Sequence, residues 1–190
     1  MEYVMSFPAD RAELSKLRAG DKLTVSGTIY TARDAAHKRL TELTASGEEL
    51  PLDIRGAAIY YAGPTPEKPG QVIGSCGPTT SGRMDAYALG LLDRGLAVMI
   101  GKGDRNAAVI DAIVRNGAVY LAAMGGAGAL MGSCVKAARI VCYEDLGCEA
   151  IRELKVENMP LTVVIDSQGN DLYKSGPEAY LKSLEDCIWT

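Results

Sequence analysis

The chain has 190 residues, 47% hydrophobic and 23% charged, with a net charge of −4. That is enough apolar material to bury one sizeable core, and one domain spanning residues 1–190 is expected. The acidic balance gives no general attraction to nucleic acid or an anionic membrane, so any basic site must be local.

The start, Met1-Glu-Tyr-Val-Met-Ser-Phe-Pro8, lacks the basic opening and apolar core of a leader. No apolar run approaches the roughly 20 residues needed to span a bilayer. A cytoplasmic location is expected. Leu23–Tyr30 is β-branched, alternating and bounded by Gly20-Asp21, which predicts a strand; Ala35–Ala45 then reads as a helix. Gly56–Ala62 reads as a second strand, closed by Gly63-Pro64-Thr65-Pro66, and the following stretch to Gly70 as a loop. Gln71–Ser75 is read as a third strand.

Helical spacing follows over Met84–Leu92, and Leu96–Ile100 is a short apolar strand. Asn106–Arg115 predicts a helix stopped by Asn116-Gly117, and Ala118–Ala123 a buried strand. Gly125-Gly126-Ala127-Gly128 lacks the full dinucleotide spacing and is read as a tight turn. Lys136–Tyr143 and Leu161–Ile165 read as later strands. Ser167–Asn170 reads as a turn before Asp171-Leu-Tyr173, and Glu178–Ile188 as a closing helix. Alternating strands and helices between Gln71 and Ala123 favour a parallel α/β core with ligands at the carboxyl ends of strands. The flanks are richer in strands, so a mixed β/α architecture is expected.

Three basic motifs occupy equivalent settings. Thr31-Ala-Arg33-Asp34 follows the first strand, Thr79-Thr-Ser-Gly-Arg83 the third, and Gly101-Lys102-Gly103-Asp104 the fourth. If these ends converge, Arg33, Arg83 and Lys102 surround a small dianion. The planar fork of Arg suits a carboxylate, and Lys acts as a point charge. At roughly 1.5–3 kcal/mol per charged hydrogen bond, three such residues select a dicarboxylate over a monoacid. Thr79, Thr80 and Ser81 could cap a helix or face the ligand. The phosphate-loop motif Gly-x-x-x-x-Gly-Lys-Ser/Thr is absent, which argues against a nucleoside triphosphate.

His37, the only histidine, could shuttle a proton, contact the anion, or sit on the surface or behind the site. One histidine without a placed partner makes no nucleophilic triad. The five cysteines, Cys76, Cys134, Cys142, Cys148 and Cys187, include no Cys-x-x-Cys pair and are read as buried thiols.

Gly77-Pro-Thr-Thr-Ser-Gly-Arg-Met-Asp85, followed by Ile100-Gly-Lys-Gly-Asp104, resembles the β subunit of class I, iron–sulfur-dependent fumarate hydratases and of the related L-tartrate dehydratases. Arg33-Asp-Ala-Ala-His37, Gly125-Gly126-Ala127, Met159-Pro160 and Asp166-x-x-Gly-Asn170 extend the likeness over the chain. The resemblance implies a swivelling β/β/α domain with a mixed sheet, found either as the C-terminal half of a one-chain enzyme or as a separate subunit. It implies hydration of fumarate to malate, with a [4Fe-4S] cluster held by a partner α subunit and none bound by this chain.

Carried over by position, Arg33, Arg83, Lys102 and Thr80 would bind the substrate. Thr79 would be the base, with Lys102 beside it in the chemistry, and His37 and Asp104 would stand behind the site. The sequence offers no group that activates Thr79. A heteromer with two copies of each chain is expected by symmetry. The alternatives are an L-tartrate dehydratase β subunit, a swivelling carrier phosphorylated on His37, and a small-acid-binding module.

Overall fold

The computed structural model describes residues 1–188. Strand β1 (Glu2–Phe7) and a one-turn helix α1 (Arg11–Leu14) precede β2 (Lys22–Thr31) and α2 (Asp34–Ser46). Next come β3 (Ala58–Tyr60), a 3-10 turn (Ser81–Met84) leading into α3 (Asp85–Asp93), β4 (Val98–Gly101), α4 (Ala107–Asn116) and β5 (Val119–Ala122). The chain ends with α5 (Gly128–Ser133), β6 (Val135–Cys142), a second 3-10 segment (Glu144–Glu149), β7 (Ile151–Ile165) and α6 (Leu172–Ile188). No described helix is long and apolar enough to cross a membrane.

The strands form a mixed sheet in the order β1-β2-β3-β4-β5-β7-β6, and β2 also pairs with β7. Five strands, β2, β3, β4, β5 and β7, therefore close on themselves. Pairs from β1 to β5 are parallel, whereas β7 runs antiparallel to β2, β5 and β6. Alternation along the strands divides the apolar residues between two faces. Ala58, Tyr60, Val98, Ile100, Val119 and Leu121 pack on one core with β1, β2 and β7. Ile59, Tyr61, Met99 and Tyr120 face the other, under the apolar sides of α2, α3 and α4. Gly27 lets β1 approach β2: its φ is +106°, and a Cβ there would lie 2.1 Å from the Phe7 carbonyl oxygen.

The expected elements at 23–30, 35–45, 84–92, 96–100, 106–115, 118–123 and 136–143 correspond to β2, α2, α3, β4, α4, β5 and β6. The second expected strand shortens to Ala58–Tyr60, and the turn at Ser167–Asn170 is present. Gln71–Ser75, however, is not a strand. Its polar groups turn inward to the preceding loop: Ser75 N donates to Thr65 Oγ1 at 2.8 Å and Gly74 N to the Thr65 carbonyl at 3.2 Å. Leu161–Ile165 is the end of the much longer β7, and the closing helix begins at Leu172 rather than Glu178, absorbing Tyr173.

Candidate active site

The carboxyl ends of β2, β3, β4 and β5 carry the polar motifs. Pro78–Ser81 fills the space between the ends of β3 and β4. Thr79 N donates to the Tyr61 carbonyl at 2.7 Å on one side, and Ser81 N to the Lys102 carbonyl at 2.8 Å on the other. A single parallel bridge joins Thr80 to Lys102. The Pro78–Ser81 segment is thus a continuation of the sheet, although no strand precedes it.

Arg33 leaves β2 as the N-cap residue of α2. Its Nε lies 3.1 Å from Asp34 Oδ2 and 3.4 Å from Glu149 Oε1. The side chain runs over Gly63, where a Cβ would stand 3.1 Å from Arg33 Cδ. Arg83, in the 3-10 turn, places Nη2 at 3.0 Å from the same Asp34 oxygen and also donates to Thr79 Oγ1. Arg33, Asp34, Arg83 and Thr79 therefore form one connected chain across two strand ends. Arg33 Nη1 and Nη2, and Arg83 Nε and Nη1, have no acceptor among the described residues.

Lys102 comes from the end of β4. Its side chain lies along Gly125 from the end of β5, where a Cβ would sit 3.6 Å from Lys102 Cδ and 3.9 Å from Nζ. Among the described residues Lys102 forms no ion pair. The side chain of Arg83 is 47% exposed, and Thr80 is exposed as well. The arrangement is an open surface on which Arg33 and Arg83 are joined through Asp34, with the Thr79 hydroxyl beside Arg83 and Lys102 at the next strand end. It can hold a small anion by charged forks and offer an oxygen beside it.

Below this surface lies a buried polar layer. Asp85, at the start of α3, accepts from Arg105 Nε at 2.6 Å and from the Asn106 backbone N–H at 2.7 Å. The Arg105 guanidinium packs over the rings of Tyr61 and Tyr120, 5.4 and 5.1 Å from their centroids.

His37 is fully buried in the second turn of α2, which excludes the surface location. It also excludes a phosphoryl carrier, whose imidazole must meet solvent. Nδ1 is 3.1 Å from the Arg33 carbonyl, which can only accept, so the proton sits on Nδ1. The ring meets Tyr61 edge-on, 5.1 Å between centroids, and burial depresses the imidazole to about 4 against the Arg33 bond that raises it. Asp104 is exposed, and its side chain contacts none of the other site residues among the described hydrogen bonds and ion pairs.

Among the described residues no three His, Cys, Asp or Glu side chains converge as metal ligands. Cys76 and Cys134 are buried as expected, whereas Cys142 is half-buried and Cys148 is exposed; burial pushes the Cys76 thiol up to about 12, where it stays protonated. Cys187 lies outside the residues whose side chains are described. These groups do not fit an iron–sulfur cluster.

Sequence reasoning overlooked Asp34, Glu149, Ser81 as a tether, and Tyr120. Asp34 stood inside a quoted motif, next to an arginine at a strand end, and that was its signal. Glu149 accepts from Ala35 N at 2.8 Å, across 114 residues of chain, and had none.

A family model described as the fumarase C-terminus matches residues 4–176. The anaerobic class I fumarate hydratase of Escherichia coli K12 is 41% identical over 165 residues, covering 86% of this chain and 30% of that protein. Fumarate hydratase 2 of Leishmania major is 38% identical over 86% of this chain and 29% of its own length. The chain thus spans about a third or less of these relatives. A Methanocaldococcus jannaschii protein, provisionally named L(+)-tartrate dehydratase subunit beta, is 37% identical over 99% of both chains. The chain belongs to the fumarase C-terminal family.

Proposed function

We propose that this chain is the β subunit of a two-subunit iron–sulfur hydro-lyase, most simply a fumarate hydratase interconverting fumarate and malate. The observation that carries this reading is the connected set Arg33–Asp34–Arg83–Thr79 at the carboxyl edge, with the unpaired Lys102 at the next strand end. Two guanidiniums and one ammonium match a dianionic dicarboxylate. Asp34 aligns both forks through one oxygen and leaves their other N–H groups for the substrate. Lys102, on its two-glycine loop, would meet the second carboxylate, with Thr80 adjacent.

Thr79, its own proton first released to solvent, would take the proton from carbon in dehydration as the alkoxide and return it in hydration as the hydroxyl. A neutral threonine is a weak base, and a cation at its oxygen favours the alkoxide. Arg83, which donates to Thr79 Oγ1, would be that cation. His37 donates to the Arg33 carbonyl and so holds the strand end from which Arg33 springs. Asp104 is left with no role beyond the surface of the Lys102 loop.

The iron–sulfur cluster expected of a class I enzyme has no ligand set among the described residues, and in this reading belongs to a partner α subunit. The two chains would assemble in the cytoplasm as a heteromer with two copies of each, and this domain would swivel against the cluster-bearing part. The β-subunit name of the full-length M. jannaschii relative supports a partner and favours one second reading, an L-tartrate dehydratase β subunit. A small-acid-binding module would bind without turnover.

The test is to purify the chain alone and together with a cluster-bearing α-type protein expressed beside it. Both preparations are then assayed on fumarate, malate and L-tartrate without oxygen. Activity is expected only in the complex; hydratase turnover by the chain alone would defeat the division of labour.

A further inference from the structure

The Lys102 loop has no regular structure beyond Gly101, the last residue of β4, and its Gly103 N–H donates to the Tyr173 hydroxyl at 3.1 Å. Glycines flank it, Gly103 has a φ of +83°, and one parallel bridge is its only sheet-like tie to the motif. Yet both backbone groups of Lys102 are held by one residue. Ser81 N donates to the Lys102 carbonyl at 2.8 Å, and Lys102 N donates to Ser81 Oγ at 3.0 Å. Ser81 Oγ occupies the space that Gly101 leaves open, for a Cβ on Gly101 would lie 2.0 Å from it.

The Tyr120 hydroxyl, reaching over from β5, lies 2.9 Å from Ser81 Oγ and 2.8 Å from the Gly103 carbonyl oxygen. A carbonyl can only accept, so the phenol proton goes to Gly103 and the Ser81 proton to the phenol oxygen. That leaves Ser81 Oγ free to accept from Lys102. The direction is therefore fixed, from Lys102 N–H through Ser81 and Tyr120 to the Gly103 carbonyl. Ser81 and Tyr120 are both fully buried. Burial pushes the phenol of Tyr120 above its ordinary value, so it remains a neutral donor.

We infer that Ser81 and Tyr120 are positioning residues: their hydroxyls clamp the Lys102 loop on both sides of Lys102 and so fix where its ammonium meets the substrate carboxylate. This inference rests on the proposed dicarboxylate chemistry. It adds a specific dependence: substrate affinity is governed by two hydroxyls that never touch substrate. The clamp joins three neighbouring elements, the Thr80-Ser81 segment, the end of β4 and β5, so the Lys102 ammonium keeps its place relative to Thr79.

The test compares wild type, Tyr120→Phe, Ser81→Ala and Ile113→Val, each in the assembled complex. Ile113 is a buried α4 residue outside the site, and its truncation supplies a purely structural control. Both hydroxyl deletions should raise KM for the dicarboxylate about tenfold, short of the ~100-fold that a 1 Å misplacement costs. Changes in kcat should be smaller, because a loosened grip weakens ground and transition states alike.

Hydrogen exchange of the 101–104 loop, followed by mass spectrometry, should quicken about fivefold, the factor one net hydrogen bond is worth. Ile113→Val should lower the melting temperature and leave both readings at wild-type values. KM within twofold of wild type in both hydroxyl variants, or unchanged loop exchange, would overturn the clamp. A wild-type complex inactive on fumarate, malate and tartrate would instead overturn the proposed function, and the exchange measurement would still judge the clamp.

Discussion

Replacing Arg83 separates binding chemistry from stability more cleanly than any other change at the site. Its side chain is 47% exposed and its partner Asp34 36%, so their ion pair contributes about 0–1 kcal/mol to folding. At about 2–4 °C per kcal/mol for a chain of this size, Arg83→Met should shift the melting temperature by no more than about 4 °C. Its effect on catalysis should be far larger. A carboxylate held by two charged hydrogen bonds at roughly 1.5–3 kcal/mol each loses about 3–6 kcal/mol of binding. Since 1.36 kcal/mol is tenfold in rate, kcat/KM should fall by about 10²- to 10⁴-fold, before counting the lost cation beside Thr79. Arg83→Lys keeps the charge without the fork and should fall between Met and wild type. Steady-state kinetics of the assembled complex on fumarate, paired with thermal melts, measures both effects. A kcat/KM within tenfold of wild type in Arg83→Met would remove Arg83 from the site.

Three further outcomes follow from the buried layer. Asp85→Ala strands the fully buried guanidinium of Arg105 and should cost about 3–5 kcal/mol in urea unfolding; a loss under 1 kcal/mol would mean that Arg105 finds another partner. His37 titrates near 4 folded and 6.5 unfolded, so as pH falls the unfolded chain takes up the proton first. Stability is complete above 6.5 and lost toward 4, by about 2 kcal/mol between pH 7 and pH 5, and a His37→Gln variant should lack that component. Gly101→Ala drives a methyl to 2.0 Å from Ser81 Oγ and 3.0 Å from Tyr61 Cδ2. It should cost about 1–3 kcal/mol of stability and move the Lys102 loop. Wild-type kinetics in that variant would mean the motif tolerates displacement.

Elements governed by their own side chains were legible. β2 alternates, α2 and α4 have one apolar side, and Asn106 caps α4 through its side chain, 2.9 Å from Val109 N. β7 was legible only at its end. Its buried residues Ile151, Leu154, Val156 and Met159 are spaced three, two and three apart, nearer to a helical rhythm than to alternation. The register shifts on pairing with β2 and β6, and Asn158 at φ +53°, account for that spacing. Val72-Ile73 misled in the opposite direction. Ile73 is buried and Val72 is 46% exposed, an alternation that looks strand-like, but the local loop rather than a neighbouring strand takes the segment's hydrogen bonds.

The three cations were legible for the same reason, since each directly follows, or closely precedes, an element set by local pattern. Their relation to one another was not, because it passes through residues remote in sequence. Asp34 meets Arg83 across 49 residues, and Tyr120 meets Ser81 across 39. These contacts also bear on why the site is open. Arg33, Arg83 and Lys102 present three positive charges, and Asp34 and Glu149 offset two, which limits repulsion among the cations. In water such exposed charges select a dicarboxylate weakly. The same groups under a cover that excludes solvent act at a far lower effective dielectric, and each bond counts for more. The physical logic of the surface therefore calls for a second body over it, and in the proposed enzyme that cover is the cluster-bearing chain. An assembled complex in which Arg83 becomes fully protected from solvent, as read by guanidinium modification with phenylglyoxal, is the outcome this argument requires; equal reactivity with and without the partner would refute it.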